Sequence, residues 1–157
     1  MEDERRAMMD AHLYLRENSI RQSFEGLLIM WRCLALACEE GLAQYGLGPA
    51  HHRILFMISC HEGLLPSELC TKLGITKQSL GRALGELKSK ALVEQREDHN
   101  DKRRRPVFLT PKGKNLEQEL FGAIRSVVTQ AYKQVDGTAV DGFRRVLRAV
   151  ESLSPPQ

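Results

Sequence analysis

The sequence predicts a mainly α-helical chain broken once by a small β-hairpin. Three observations carry that prediction. Apolar residues recur at helical spacing through most of the 157 residues. One stretch only, 91–109, reads as two short extended segments around a charged tip. Two prolines, Pro66 and Pro111, stand where the first turn of a helix tolerates them.

Size and composition set the frame. A chain of this length is one domain, or one domain with appended helices, long enough to bury a core without disulfide or metal staples. Apolar residues are 42% and charged residues 27%, an ordinary balance that excludes disorder, collagen-like repeats and coiled coil as descriptions of the whole. Uninterrupted apolar runs, such as Leu27 to Trp31, fall far short of the ~20 residues a membrane span needs. The charged stretch Met1 to Arg6 leads into no apolar run, so no secretory signal is expected and the cytoplasm is the default compartment. There is no internal repeat.

Residues 10–45 read as helix, either one or two, with Ile20, Phe24, Leu27, Leu28, Trp31, Leu34 and Leu42 at helical spacing. Gly41, Gly46 and Gly48 mark its end, and Pro49 suits the first turn of the next helix. That helix, 50–61, carries Ile54, Leu55, Met57 and Ile58, and His61-Glu62-Gly63 breaks it. Pro66 then opens a short helix with Leu69 and Leu73 on its apolar stripe, and Gly74 permits the left-handed turn that stops it. Thr76 is a good N-cap for another helix. There Leu80, Leu84 and Leu87 face the core, leaving Lys77, Gln78, Ser79, Arg82 and Glu86 on other faces. Gly81 and Gly85 cost that helix about 1 kcal/mol each relative to Ala, for close packing or close approach to a ligand. Two short helices joined at a Gly turn, the second polar and basic, form a helix-turn-helix.

Residues 91–96 and 107–109 are the two arms of the hairpin, with the polar tip between them. Thr110-Pro111 supplies an N-cap and an N1 proline for a further helix striped by Leu116, Leu120, Ile124, Val127, Ala131 and Val135. Asp136-Gly137-Thr138 interrupts it. A last helix carries Val140, Phe143, Leu147 and Val150, and Ser154-Pro155-Pro156 ends as a tail.

Charge is distributed unevenly. The net is +3, yet 12 Lys/Arg and 5 Asp/Glu fall between Lys72 and Lys114, leaving the rest of the chain net acidic. A basic middle in an acidic frame suggests a surface for a polyanion; the plainer alternative is a solvated basic face. A helix-turn-helix followed by a hairpin is a winged helix, and its physics accounts for the charge map. The second helix enters the major groove. Gln78 is the type to bond adenine and Arg82 the type to bond guanine N7 and O6. Ser79 suits a base or a phosphate. Lys77, after the cap Thr76, sits where the helix dipole also favours a phosphate. The tip residues Lys102, Arg103, Arg104 and Arg105 suit the flanking backbone or a narrow minor groove.

With these residues in view, the chain resembles the multiple-antibiotic-resistance regulator (MarR) family of bacterial transcription factors, from about Ser23 to Leu153. The sharpest matches are Ser67-Glu68-Leu69, Gly74-Ile75-Thr76-Lys77-Gln78-Ser79 and Leu92-Val93. The wing Asp98-His99-Asn100-Asp101-Lys102-Arg103-Arg104 and Leu109-Thr110-Pro111-Lys112-Gly113 complete them. The family's wing reads Asp-x-Arg-Asp-x-Arg. Here Asn100 replaces the first Arg, while Asp98, Asp101 and Arg103 match. The resemblance implies that Asp98 and Asp101 brace the wing and that Arg103 or a neighbour reaches the minor groove. Leu65 replaces the usual polar cap before Pro66.

The resemblance further implies one MarR-like domain over 1–157, a winged helix-turn-helix at about 50–110 embedded in a helical dimerisation domain at about 10–48 and 111–153. It implies a homodimer on a pseudo-palindromic site of double-stranded DNA, and a repressor relieved by a small aromatic or carboxylate effector. Trp31, Arg32, His51, His52 and Arg53 are the effector candidates, a cationic group beside an aromatic wall. The plainer reading, which the helical spacing favours, is that Trp31 is core and that His51, His52 and Arg53 are a polar helix start.

Catalytic and metal sites are not expected. No nucleophile elbow, P-loop, H-E-x-x-H or dinucleotide motif is present. The neighbours His51 and His52 cannot face one site from one helix, and no cofactor is implied. Cys33, Cys38, Cys60 and Cys70 form no C-x-x-C pair and read as reduced thiols packed as small apolar residues, with redox sensing as the lesser alternative. Two further alternatives are a winged helix used for protein contacts and a sequence-blind architectural DNA binder.

Overall fold

The computed structural model describes Met1 and residues 13–97, 101 and 104–153. The chain divides into two compact units, Met1–Leu36 and Ala37–Gln157. A turn and bend at Leu15 and Arg16 separate helical Leu13 and Tyr14 from α1, Glu17–Ala43, which carries the whole apolar pattern from Ile20 to Leu42. In the first unit the helix is tied locally: Arg21 pairs with Glu17 at 2.7 Å, and the Ser23 hydroxyl donates to the Ser19 carbonyl. Its apolar positions Phe24, Leu27, Leu28 and Trp31 are exposed, Trp31 at 57%, so Trp31 is not a core residue of this chain.

The second unit contains α2 (Pro49–Cys60), α3 (Pro66–Leu73), α4 (Lys77–Ser89), β1 (Val93–Gln95), β2 (Val107–Leu109), α5 (Pro111–Tyr132) and α6 (Gly137–Ser152). The fold is mainly helical with one small hairpin, as the sequence predicts. Its core is aliphatic: Ile54, Leu55, Ile58, Leu69, Leu80, Leu87, Leu92, Val107, Leu116 and Leu120 are buried almost completely. α2 is the central helix, in contact with α3, α4, α5 and β2. Phe56 and Phe121 stack between α2 and α5, with ring centroids 6.1 Å apart.

Several expectations are corrected. Gly41 does not end α1. It lies within the helix, where an added Cβ would meet the Leu120 side chain at 3.0 Å, so its role is close packing. The chain turns instead at Gly46, whose φ is +62°. The α5 stripe is buried only at Leu116 and Leu120; Val135 is exposed. α6 has no buried residue, with Val146, Leu147 and Val150 exposed. Of the four thiols only Cys38 is buried, bonded to the Leu120 carbonyl at 3.6 Å, and burial pushes its pKa up. Cys33 and Cys60 are exposed rather than packed.

The hairpin is antiparallel with Val93 opposite Leu109 and Gln95 opposite Val107. A third segment joins it: the Val107 N–H donates to the Leu64 carbonyl at 2.8 Å. Val93, Val107 and Leu109 are buried. On the other side of the ribbon Arg96 lies over the Phe108 ring at 4.5 Å.

Candidate nucleic-acid interface

Local chemistry sets where α3 and α4 start and stop. α3 starts at Pro66 behind Leu65, which has no side-chain oxygen to cap it. The other half of a capping box survives, since the Leu65 N–H donates to the Glu68 carboxylate at 2.7 Å. Gly74 closes α3 in the left-handed region at φ +61°. Two residues on, Thr76 caps α4, accepting the Ser79 N–H on its hydroxyl at 3.1 Å. This cap fixes where α4 begins and therefore which residues occupy its first turn.

α4 then has two faces. Leu80, Ala83, Leu84 and Leu87 are buried, while Lys77, Gln78, Ser79, Arg82 and Glu86 are exposed. Gln78, Arg82 and Glu86 lie four residues apart on one stripe. Lys77 and Arg82 have no ion-pair partner among the described residues. Methyl groups added at Gly81 or Gly85 would meet nothing within 4 Å, so packing inside the protein does not explain either glycine.

On the wing, Arg104 is exposed and its backbone N–H donates to the Asp101 carbonyl at 2.9 Å. Arg105 pairs with Glu97 at 3.2 Å. Asp98, Lys102 and Arg103 lie outside the described residues. The wing is braced to α4 by a relay: the Lys88 ammonium donates to the Gln95 side chain, whose amide donates to the Arg105 carbonyl at 3.1 Å. Sequence reading missed this relay, because its members are seven and ten residues apart with no periodic link. Part of the basic excess is also structural. Lys112 donates to the Lys90 carbonyl, Lys114 pairs with Glu62, and Arg96 pairs with Glu94.

Of the effector candidates, Trp31, Arg32 and Arg53 are exposed. His51 is committed to two partners. Its Nδ1 accepts the Gly48 N–H at 3.1 Å, and its Nε2 contacts Glu86 Oε2 on α4 at 2.6 Å. His52 is half-buried, its Nε2 has no hydrogen-bond partner among the described residues, and burial lowers its pKa. Glu86 is the residue the sequence reading left without a role; nothing local points to a partner 35 residues away. Among the described residues no three His, Cys, Asp or Glu side chains converge as a metal-holding group, and no helix is long and apolar enough to cross a membrane.

Comparison with known proteins agrees with this geometry. The MarR family model matches residues 45–104. The chain is 39% identical over 138 residues to the HTH-type transcriptional regulator PetP of Rhodobacter capsulatus, covering 88% of this chain and 83% of that one. It is 27% identical over 92 residues to the transcriptional repressor MprA of Escherichia coli, covering 59% of this chain and 52% of that one. A MarR transcriptional regulator from Methanosarcina mazei superposes with TM-score 0.70 at 21% identity, covering 84% and 95% of the two chains. A cysteine-to-serine mutant of Escherichia coli MarR, complexed with operator DNA, superposes with TM-score 0.64 at 24% identity, covering 85% and 96%.

Proposed function

The chain belongs to the MarR family of transcriptional regulators, and on that premise we propose that it binds a pseudo-palindromic operator as a homodimer and represses transcription until a small ligand relieves it. The observation that carries the reading is the exposed stripe of α4, where Arg82 follows Gln78 and Ser79 and has no ion-pair partner among the described residues. Specificity sits in Gln78, Ser79 and Arg82. Thr76 sets the helix start, and Lys77 with Arg103, Arg104, Arg105 and Lys102 anchors the phosphate backbone or minor groove. Asp98 and Asp101 brace the wing. The domain division follows: a DNA-binding lobe at about 50–110 with dimerisation helices on either side.

The exposed apolar faces support the dimer. Phe24, Leu27, Leu28 and Trp31 on α1, and Val146, Leu147 and Val150 on α6, need somewhere to be buried. A twofold dimer presents two α4 helices to half-sites about one helical turn apart, ~34 Å. Repression is supported by the name of MprA, a transcriptional repressor. The effector class that suits the exposed Arg53 by residue type is a carboxylate.

The test is fluorescence anisotropy with the DNA flanking this protein's own gene against scrambled duplex, across a salt series. Preference for the flanking DNA by ~10³-fold or more is expected. Equal affinity for every duplex, in a scan that includes other genomic promoters, would replace this reading with architectural binding. No affinity at low salt would move the basic surface to a protein partner.

A further inference from the structure

The recognition helix is held from behind by a residue outside the helix-turn-helix. His51 stands in the first turn of α2, and Glu86 stands one turn beyond Arg82 on α4. The two side chains meet at 2.6 Å beside an open groove of about 400 Å³ whose wall includes Gln78, Ser79 and Arg82. The second nitrogen of the ring defines the chemistry. Nδ1 faces the Gly48 N–H at 3.1 Å and therefore must offer a lone pair. The ring proton of neutral His51 is then on Nε2, so Nε2–H donates to the Glu86 carboxylate.

This arrangement matters for Arg82. Arg82 and Glu86 are four residues apart, close enough on a helix surface to form an ion pair. No such pair is present; Glu86 is turned to His51, and the Arg82 guanidinium has no partner among the described residues. A guanidinium edge drawn back along the helix to Glu86 is not aimed at guanine, and a loose carboxylate beside DNA repels the phosphates.

The geometry points to His51 as a positioning residue for sequence readout: its Nε2–H tautomer holds Glu86 aside and leaves Arg82 open to a base. The inference rests on the operator-binding reading above.

Two replacements separate the two ends of the ring. In His51→Asn the side-chain oxygen replaces Nδ1 and keeps the Gly48 bond, but nothing reaches Glu86. In His51→Gln the amide replaces Nε2 and still donates to Glu86. The full-length chain is titrated with operator and scrambled duplexes. His51→Asn is expected to lower the operator-over-scrambled ratio about two- to five-fold, the range for losing or gaining one exposed ion pair. His51→Gln is expected to keep the ratio, and His51→Asn with Glu86→Ala to restore it. In an Arg82→Ala background, adding His51→Asn changes nothing further.

A ratio unchanged in His51→Asn, or one that Glu86→Ala does not restore, overturns the inference while leaving operator binding intact. A wild-type protein with no preference among duplexes fails the operator reading itself. The tautomer is read separately in the free protein by ¹⁵N–¹H spectroscopy of the imidazole. An Nε2–H ring coupled to Nδ1 without a proton is expected; an Nδ1–H ring overturns the inference whatever the DNA titration shows.

Discussion

Gly113, in the first turn of α5, lies so close to Leu92 that a Cβ on it would fall 1.9 Å from the Leu92 carbonyl oxygen. The neighbouring Thr110 completes the joint. Its hydroxyl donates to the Ala91 carbonyl at 2.6 Å and accepts the Gly113 N–H at 3.0 Å. Ala91 itself sits at φ +54°, a conformation costly to a residue with a Cβ. The end of α4, the root of the wing and the start of α5 are thus fastened at one point.

Gly113→Ala therefore cannot be absorbed by a side-chain movement, because the obstacle is backbone. We expect a loss of about 3 kcal/mol, at the top of the usual range for overpacking, measured by urea unfolding. A loss under about 1 kcal/mol would show that α5 shifts freely against the hairpin.

Gly85→Ala should act in the opposite direction. An added methyl meets nothing, so the helix gains intrinsic propensity, worth up to about 1 kcal/mol. The same urea experiment reads it as a higher midpoint with an unchanged slope.

His52 makes stability fall on the acid side. Its folded pKa is lowered from 6.5 by burial, so the unfolded chain takes up its proton first as pH drops. The stabilisation is complete above pH 6.5 and is lost as pH falls through the lower folded value. His52→Leu removes this proton uptake and the unpartnered Nε2. Its unfolding midpoint should vary less between pH 7.5 and 5 than that of the wild type; equal slopes would exclude His52 as the source.

Arg82→Ala should cost about 1–3 kcal/mol on the operator and much less on scrambled duplex. Anisotropy titrations at one salt concentration check this. Equal losses on both would remove Arg82 from base readout.

The wing arginines should differ from each other. Arg104 has no ion-pair partner among the described residues, whereas Arg105 is paired with Glu97. Arg104→Ala is expected to reduce the magnitude of the salt slope by about 1 and weaken all sequences alike. Arg105→Ala should reduce it less, since Glu97 already offsets its charge. A larger effect at Arg105 would mean that the pair opens on DNA.

Much of the local structure was legible from residue type alone. Pro66, Gly74, Thr76, Thr110 and Pro111 start or stop helices through backbone geometry and short-range hydrogen bonds, which neighbouring residues largely specify. The spacing of Leu80, Leu84 and Leu87 determined which side of α4 turns inward, and so which residues it exposes. Fold class and family followed from those elements in order. Burial was less legible: the apolar stripes of α1 and α6 remain exposed within this chain. Periodicity records that a face is apolar, not what covers it.

Only the tertiary structure decided the long-range pairings. It set His51 against Glu86, Gly113 against Leu92, and Lys88 against Gln95. It also divided the basic residues of the middle into those spent on carbonyls and carboxylates, such as Lys112 and Lys114, and those with no ion-pair partner among the described residues, such as Lys77 and Arg82. The reason is physical. Caps and turns depend on atoms a few residues apart, so residue identity suffices. A contact across 35 residues depends on how helices pack, and that is settled by the shape of the shared core rather than by the two residues that meet.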